Sequence, residues 1–192
     1  MLTVILIRPG STDFDEQGRI QGTLDVPLNQ QGDAEVSRLA DELRESSLEA
    51  IYHSACSSAQ QTAEVLAAAL GVKPKRLDNL QNLDHGLWQG MRVEEVKRKH
   101  PKVYRQWQEQ PDTVCPPEGE TLEAARSRVQ AVLRKVLRKH REGTIGLVVP
   151  EPLARLVRSQ LNHSELGNLW TAGEEHGSFD VIAVGPELAA KS

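Results

Sequence analysis

Leu6-Ile7-Arg8-Pro9-Gly10-Ser11-Thr12 closes a β-branched apolar run, Thr3 to Ile7, with a cation and a Pro-Gly pair. A run that is apolar at every position, and not only at alternate ones, reads as a strand buried on both faces of a mostly parallel sheet. The turn after the opening strand is where α/β proteins commonly place groups that reach a ligand. Arg8 and Gly10 suit that turn. Pro9 does not, because it offers no donor and no side-chain heteroatom.

Working outward, a loop rich in Gly and Asp leads to Val36, Leu39, Ala40 and Leu43, which recur at helical spacing up to about Ser46. AIYH (residues 50–53) reads as a second strand, followed by an Ala-rich helix that Gly71 closes at its C-cap. Lys75 to Leu77 suits a short strand, and the stretch from Val93 to Gln110 suits a helix broken at Pro101. Leu122, Ala125, Val129, Val132, Val136 and Leu137 mark a long amphipathic helix from near Thr121 to about His140. IGLVV (residues 145–149) is a second wholly apolar strand. The helix that follows it in PEPLARLVRSQL (residues 150–161) carries proline at its start, in line with the first-turn preference. Phe179 to Val184 forms a last strand, and the tail LAAKS (residues 188–192) reads as frayed. This alternation predicts one domain over residues 1–192, a three-layer α/β/α sandwich on a mostly parallel central sheet, with ligands at the carboxyl ends of its strands.

Composition excludes several partners. Lys and Arg number 23 against 27 Asp and Glu, a formal net charge of −4 with no basic block, so nucleic acid is not expected to bind. No segment approaches the roughly 20 apolar residues of a membrane span, and the protein is expected in the cytoplasm, off the membrane. Cys56 and Cys115 have no ligand-like spacing and read as reduced thiols. No His, Asp or Glu group has metal spacing, so neither metal nor cofactor is expected.

Taken together, LIRPGSTDFDEQGRIQGTLDVPLNQQG, IYHSACSSAQQTAEVLAAALG, LQNLDHGLWQG, PPEGETL and IGLVVPEPLARLV resemble the histidine phosphatase superfamily, in its phosphoglycerate-mutase-like branch. The resemblance runs in order from about Thr3 to Arg158 and implies a phosphate pocket above the carboxyl edge of the sheet. It also implies four catalytic positions, and each holds an unexpected residue here. The family's first strand ends in Arg-His-Gly, whose histidine accepts the phosphoryl group; this chain has Arg8-Pro9-Gly10. The arginine that grips phosphate after the second strand aligns with Ser58. The proton-donating glutamate four residues before the glycine of the GxWxG turn aligns with Asn82, and an amide cannot protonate a leaving alkoxide. The second histidine, after the fourth strand, falls in Pro150-Glu151-Pro152, where no histidine stands.

Of the family positions that can be placed, Arg8 alone is retained, and Arg8, Gly10, Arg19 and Gln21 would line what is left of the pocket. Glu151 is the expected ion-pair partner of Arg8. A carboxylate ~5 Å from a bound anion at an effective dielectric of ~20 opposes it by about 3 kcal/mol, roughly 100-fold in affinity. These positions lead to the expectation of a catalytically inactive protein with a binding or regulatory role, its partner an unidentified protein or small molecule, and a homodimer possible. The competing expectation is an active phosphatase or mutase on a small phosphate ester, working through other residues such as His85, Glu151 or Cys56. For His85 local packing is the expected role, for His53, His100 and His140 solvated or capping ones, and for Cys56 that of an unreactive thiol. Trp88, Trp107 and Trp170 are candidates for a partner surface, with core packing favoured for Trp88.

Overall fold

The structure is a computed structural model that describes residues 1–166, 169 and 175–185. Its elements run β1 (Leu2–Arg8), α1 (Asp13–Glu16), α2 (Gln30–Glu42), β2 (Ala50–Ser54), α3 (Ser57–Leu70), β3 (Pro74–Leu77), α4 (Val93–Lys99), α5 (Pro101–Glu109), α6 (Leu122–Lys139), β4 (Gly143–Val148), α7 (Leu153–Asn162) and β5 (Ser178–Val184). The five strands form one sheet in the order β3-β2-β4-β1-β5. Every pairing is parallel except that of β5, which lies antiparallel to β1 with Arg8 opposite Ser178.

The apolar run of β1 is explained by its two neighbours. Leu2, Val4 and Leu6 face a core built with α6 and α7, through residues such as Val129, Leu133, Leu153 and Val157. The alternate residues Ile5 and Ile7 face a second core with Leu39 of α2, Leu43 at its C-cap, and Ala59, Ala63 and Leu66 of α3. Both faces of the strand are therefore covered, and each fully buried Leu or Ile contributes about 2–3 kcal/mol of apolar transfer. A third, smaller cluster, Ile20, Trp88, Val96, Trp107 and Val114, forms where the loop after β1 meets α4 and α5. Trp88 and Trp107 are buried there, so neither supplies a partner surface. Trp170 and the tail LAAKS lie outside the described residues.

Local signals place the helix ends. Asn29 accepts from the Gly32 N–H at the start of α2, Thr121 accepts from the Ala124 N–H at the start of α6, and Gly71 closes α3 at φ +69°. Two expectations shift. The helix through Val36 and Leu39 ends at Glu42, short of Ser46, and Pro152 stands as the N-cap of α7, just outside its first turn, after a cis Glu151–Pro152 bond. No helix of the described residues is long and apolar enough to cross a membrane.

Candidate active site

The carboxyl ends of β1 and β4 and the start of β5 meet at Arg8. Its side chain is 2 % exposed, and a buried cation is tolerated only with close partners. Arg8 Nε donates to Glu151 Oε1 at 2.8 Å and also lies 3.1 Å from Glu175 Oε2, while Nη2 donates to Asp180 Oδ2 at 2.8 Å. The sequence-based Arg8–Glu151 pair is present, then, and two further carboxylates join it. Burial disfavours the charge on Arg8, but the hydrogen bonds and charges of Glu151 and Asp180 outweigh it and hold the guanidinium above its ordinary pKa. Burial pushes the Glu151 carboxyl upward, and Arg8 offsets only part of that shift. Among the described residues the third nitrogen, Nη1, has no hydrogen-bond partner.

Around Arg8 lies a small cavity lined by Pro9, Gly10, Thr12, Asp15, Gln21, Ser58, Pro150, Glu151, Glu175 and His176. Pro9, Ser58, Pro150 and Glu151, four of the five residues at the aligned catalytic positions, thus meet at one place. Asn82, the fifth, is buried outside the cavity lining: its amide donates to the Glu151 carbonyl at 2.9 Å and its oxygen accepts from the Leu83 and Leu153 N–H groups. It fixes the start of α7. Gly10 lies so close to α2 that a Cβ would stand 2.5 Å from the Gly32 carbonyl oxygen. The same turn is tied to α2 through Ser11, whose N–H and hydroxyl both donate to Glu35. Burial opposes the charge on Glu35, yet the hydrogen bonds from Gln31 and Ser11 hold its carboxyl below the ordinary value.

A second, wider cleft adjoins the first, sharing Asp15, Gln21 and Glu151 with it and adding Arg19, Ile20, His85, Val93, Trp107, Pro152 and Leu169. Arg19 donates to the Gln17 side chain and the Gly90 carbonyl, and Gln21 donates to the Leu24 carbonyl, so both rim residues also brace their loop. His85 packs edge-on against Trp107, with ring centroids 4.9 Å apart. Burial pushes it down from 6.5 to about 4, and its ring is neutral at physiological pH. That is the packing role expected of it, at a position that also walls the cleft. Cys56 caps α3 and lies 3.6 Å from the Ser58 hydroxyl, outside both cavities. His53 is buried with Nδ1 donating to the Ser54 carbonyl, and His140 at the end of α6 meets the Tyr52 hydroxyl at 2.8 Å. No group of three metal-ligating side chains occurs among the described residues.

Sequence reading missed Asp15, Glu175 and Asp180 and assigned no role to His176, which it counted only among the alternative histidines. The last three precede or begin β5, and their place depends on the antiparallel pairing of β5 with β1, which periodicity does not reveal.

The sequence from residue 4 to residue 188 matches the histidine phosphatase superfamily (branch 1). The chain belongs to that family. Among curated relatives of this histidine phosphatase superfamily member is phosphoserine phosphatase 1 of Hydrogenobacter thermophilus, 33% identical over 182 residues, which cover 95% of this chain and 86% of the relative. Among solved structures, YhfR of Bacillus stearothermophilus superposes with a TM-score of 0.83 at 25% identity, covering 96% of this chain and 92% of its own. A mycobacterial glucosyl-3-phosphoglycerate phosphatase shares the fold, with a TM-score of 0.85 at 19% identity over 97% of this chain and 93% of its own. These findings overturn the expectation of a catalytically inactive protein. A superfamily member so alike, over nearly its whole length, to a named phosphatase carries no mark of inactivity beyond its substituted positions, and histidine phosphatase superfamily relatives are phosphatases and mutases.

Proposed function

We propose that the chain hydrolyses a small phosphate monoester, with the phosphoryl group seated at Nη1 of Arg8 and the alcohol portion in the adjoining cleft. The observation that carries this reading is the match to a named phosphatase over 95% of the chain. The geometry supports it in two ways. Among the described residues Nη1 of Arg8, which lines the cavity, has no hydrogen-bond partner, and a single guanidinium edge suffices for a charge-assisted hydrogen bond to a phosphoryl oxygen. The neighbouring cleft has an apolar wall of Ile20, Val93, Trp107 and Leu169 that suits the organic part of an ester.

Pro9 cannot be phosphorylated, so hydrolysis here proceeds without a phosphoenzyme at that position and needs a group that activates water. The test is a turnover assay with 4-nitrophenyl phosphate, phosphoserine and glycerate and sugar phosphates, from mildly acidic to mildly alkaline pH. Release of inorganic phosphate, lost in Arg8→Lys and inhibited by orthovanadate, is the expected result. No release from any of these esters by the folded wild-type protein overturns the reading.

A further inference from the structure

We propose that Glu151 is the general acid of this site and gives its proton to the alcohol oxygen as the bond from phosphorus to that oxygen breaks. The proposal rests on the phosphatase reading above and deepens it. Of the two cavities, Arg8 and Ser58 line only the small one and Ile20 and Val93 only the wider cleft, whereas Asp15, Gln21 and Glu151 line both. With the phosphoryl group in the first and the alcohol portion in the second, the ester bond lies at that shared wall. Gln21 is an amide and has no proton to give. Asp15 closes the capping box of α1, its Oδ2 accepting from both the N–H and the hydroxyl of Thr12 at 2.7 Å. Glu151 is the remaining acid of the wall. Its backbone is held by the Asn82 amide, which donates to the Glu151 carbonyl at 2.9 Å, so the residue that stands where the family has its proton donor positions the one that takes over the task.

The surroundings let this carboxyl gain and lose a proton within one cycle. The Glu151 side chain is 3 % exposed, with Oε1 accepting from Arg8 Nε at 2.8 Å and Oε2 from the Arg155 N–H at 3.3 Å. Each carboxyl oxygen has a second lone pair, so neither bond blocks protonation. The charged groups that face it are Arg8 of β1, Arg155 of α7 and Glu175, which shares Arg8 with Asp180. Asp15 and His176 also line the small cavity, and Arg19 and His85 the cleft. Burial already favours the protonated carboxyl, and Arg8 offsets only part of that preference. A phosphoryl dianion at Arg8 adds like charge, and one such charge ~5 Å away at an effective dielectric of ~20 favours protonation by roughly 100-fold more. The substrate therefore arrives with uptake of a proton. After that proton has moved to the alcohol, Arg8 and the Arg155 N–H stabilise the carboxylate left behind.

The step balances as a single hydrolysis. A water oxygen bonds to phosphorus on the side opposite the alcohol, and one of its protons passes to a phosphoryl oxygen, so the ester itself activates the water. The bond from phosphorus to the ester oxygen breaks, its electron pair leaves with the alcohol oxygen, and that oxygen takes the Glu151 proton. In a loose transition state this bond is largely broken, and the proton is delivered where charge develops. The phosphate gives its surplus proton to solvent, and Glu151 takes one from solvent with the next ester. Ester and water are consumed, alcohol and inorganic phosphate are formed, and nothing is oxidised or reduced.

Two experiments on the full-length protein test the assignment. The first compares leaving groups. 4-Nitrophenolate departs readily without a proton and the alkoxide of phosphoserine or of a glycerate or sugar phosphate does not. Glu151→Gln therefore lowers kcat by ~100-fold or more on the alkyl phosphates and by no more than a few-fold on 4-nitrophenyl phosphate, in the range by which a positioned acid contributes. It also removes the basic limb of the pH–rate profile, where the wild type loses turnover as its acid deprotonates. A purely structural lesion slows all the esters alike. The second experiment needs no variant. Calorimetric titration of the wild type with sulfate, a dianion that does not titrate from mildly acidic to mildly alkaline pH, in buffers of different ionisation enthalpy, shows net proton uptake on binding and an affinity that weakens as pH rises. Equal slowing of all the esters in a folded Glu151→Gln protein, wild-type turnover confined to 4-nitrophenyl phosphate, sulfate binding without proton uptake, or no sulfate binding even at acidic pH overturns the role of Glu151 and leaves the phosphatase reading intact. Absence of turnover of every ester by the wild type overturns both.

Discussion

At the scale of single residues, the site is built from charges that neutralise one another and from one ring kept neutral by burial. His85 is the clearest case. It is nearly fully enclosed against Trp107, and burial outweighs the opposing pull of Asp84 on its charge. A base whose folded pKa is depressed contributes stability above its unfolded pKa and loses it as pH falls toward the folded one. For His85 that window runs from 6.5 down to about 4, and the shift corresponds to about 3 kcal/mol lost across it. His85→Phe keeps an aromatic ring against Trp107 and removes this one titration, so the wild type is expected to lose about 3 kcal/mol more denaturant stability than the variant as pH falls through that window. Parallel curves for the two proteins would refute the burial argument. Sequence alone placed His85 in the loop lining the pocket and anticipated packing, but not the depth of enclosure, because Trp107 arrives from α5, some 20 residues downstream along the chain.

Among the elements, β1 and α2 decide how well the turn that carries Arg8 is held. Gly10 and Gly32 approach so closely that a methyl group on Gly10 meets the Gly32 carbonyl, and one on Gly32 meets the Ser11 backbone. Backbone cannot step aside as a flexible side chain does. Gly10→Ala is expected to cost about 3 kcal/mol by overpacking, whereas Gly71→Ala, at φ +69° with no atom near the added carbon, costs only the ~1 kcal/mol of a left-handed cap. Comparing the two denaturant midpoints checks the difference, and equal costs would mean the turn relaxes freely. The elements themselves were largely legible. β1 and β4 declared themselves by unbroken apolar runs, α3 and α6 by period and caps, and the break between α4 and α5 by Pro101. What the pattern did not carry was the direction of β5. Its residues alternate only weakly in burial at the sheet edge, and Glu175 and Asp180 reach Arg8 because that strand runs antiparallel to β1.

Over the whole molecule, the strand order sets the electrostatics of the site. With β1 between β4 and β5, the end of one strand presents a guanidinium, and its two neighbours present Glu151, Glu175 and Asp180 against it. Arg155 lies 3.5 Å from Glu175 and 4.0 Å from Glu151, and Arg158 lies 3.5 Å from Asp180, so the charges of Arg8 and its two neighbouring arginines are already shared with carboxylates and little positive charge is left for a bound anion. Phosphate affinity is thus held down by the same contacts that stabilise the buried arginine. Glu151→Gln separates the two effects. Its amide oxygen can still accept from Arg8 Nε, while the charge disappears. Fold stability should fall by about 1–3 kcal/mol, below the usual cost of breaking a buried pair, because Asp180 and Glu175 still serve the guanidinium. Binding of inorganic phosphate should tighten by up to ~100-fold, the value of removing one like charge ~5 Å away at an effective dielectric of ~20. Calorimetric titration at fixed ionic strength reads the second quantity and thermal unfolding the first. Unchanged phosphate affinity in a folded Glu151→Gln protein would mean that the ligand does not sit beside Arg8, and would move the phosphoryl site elsewhere in the cleft.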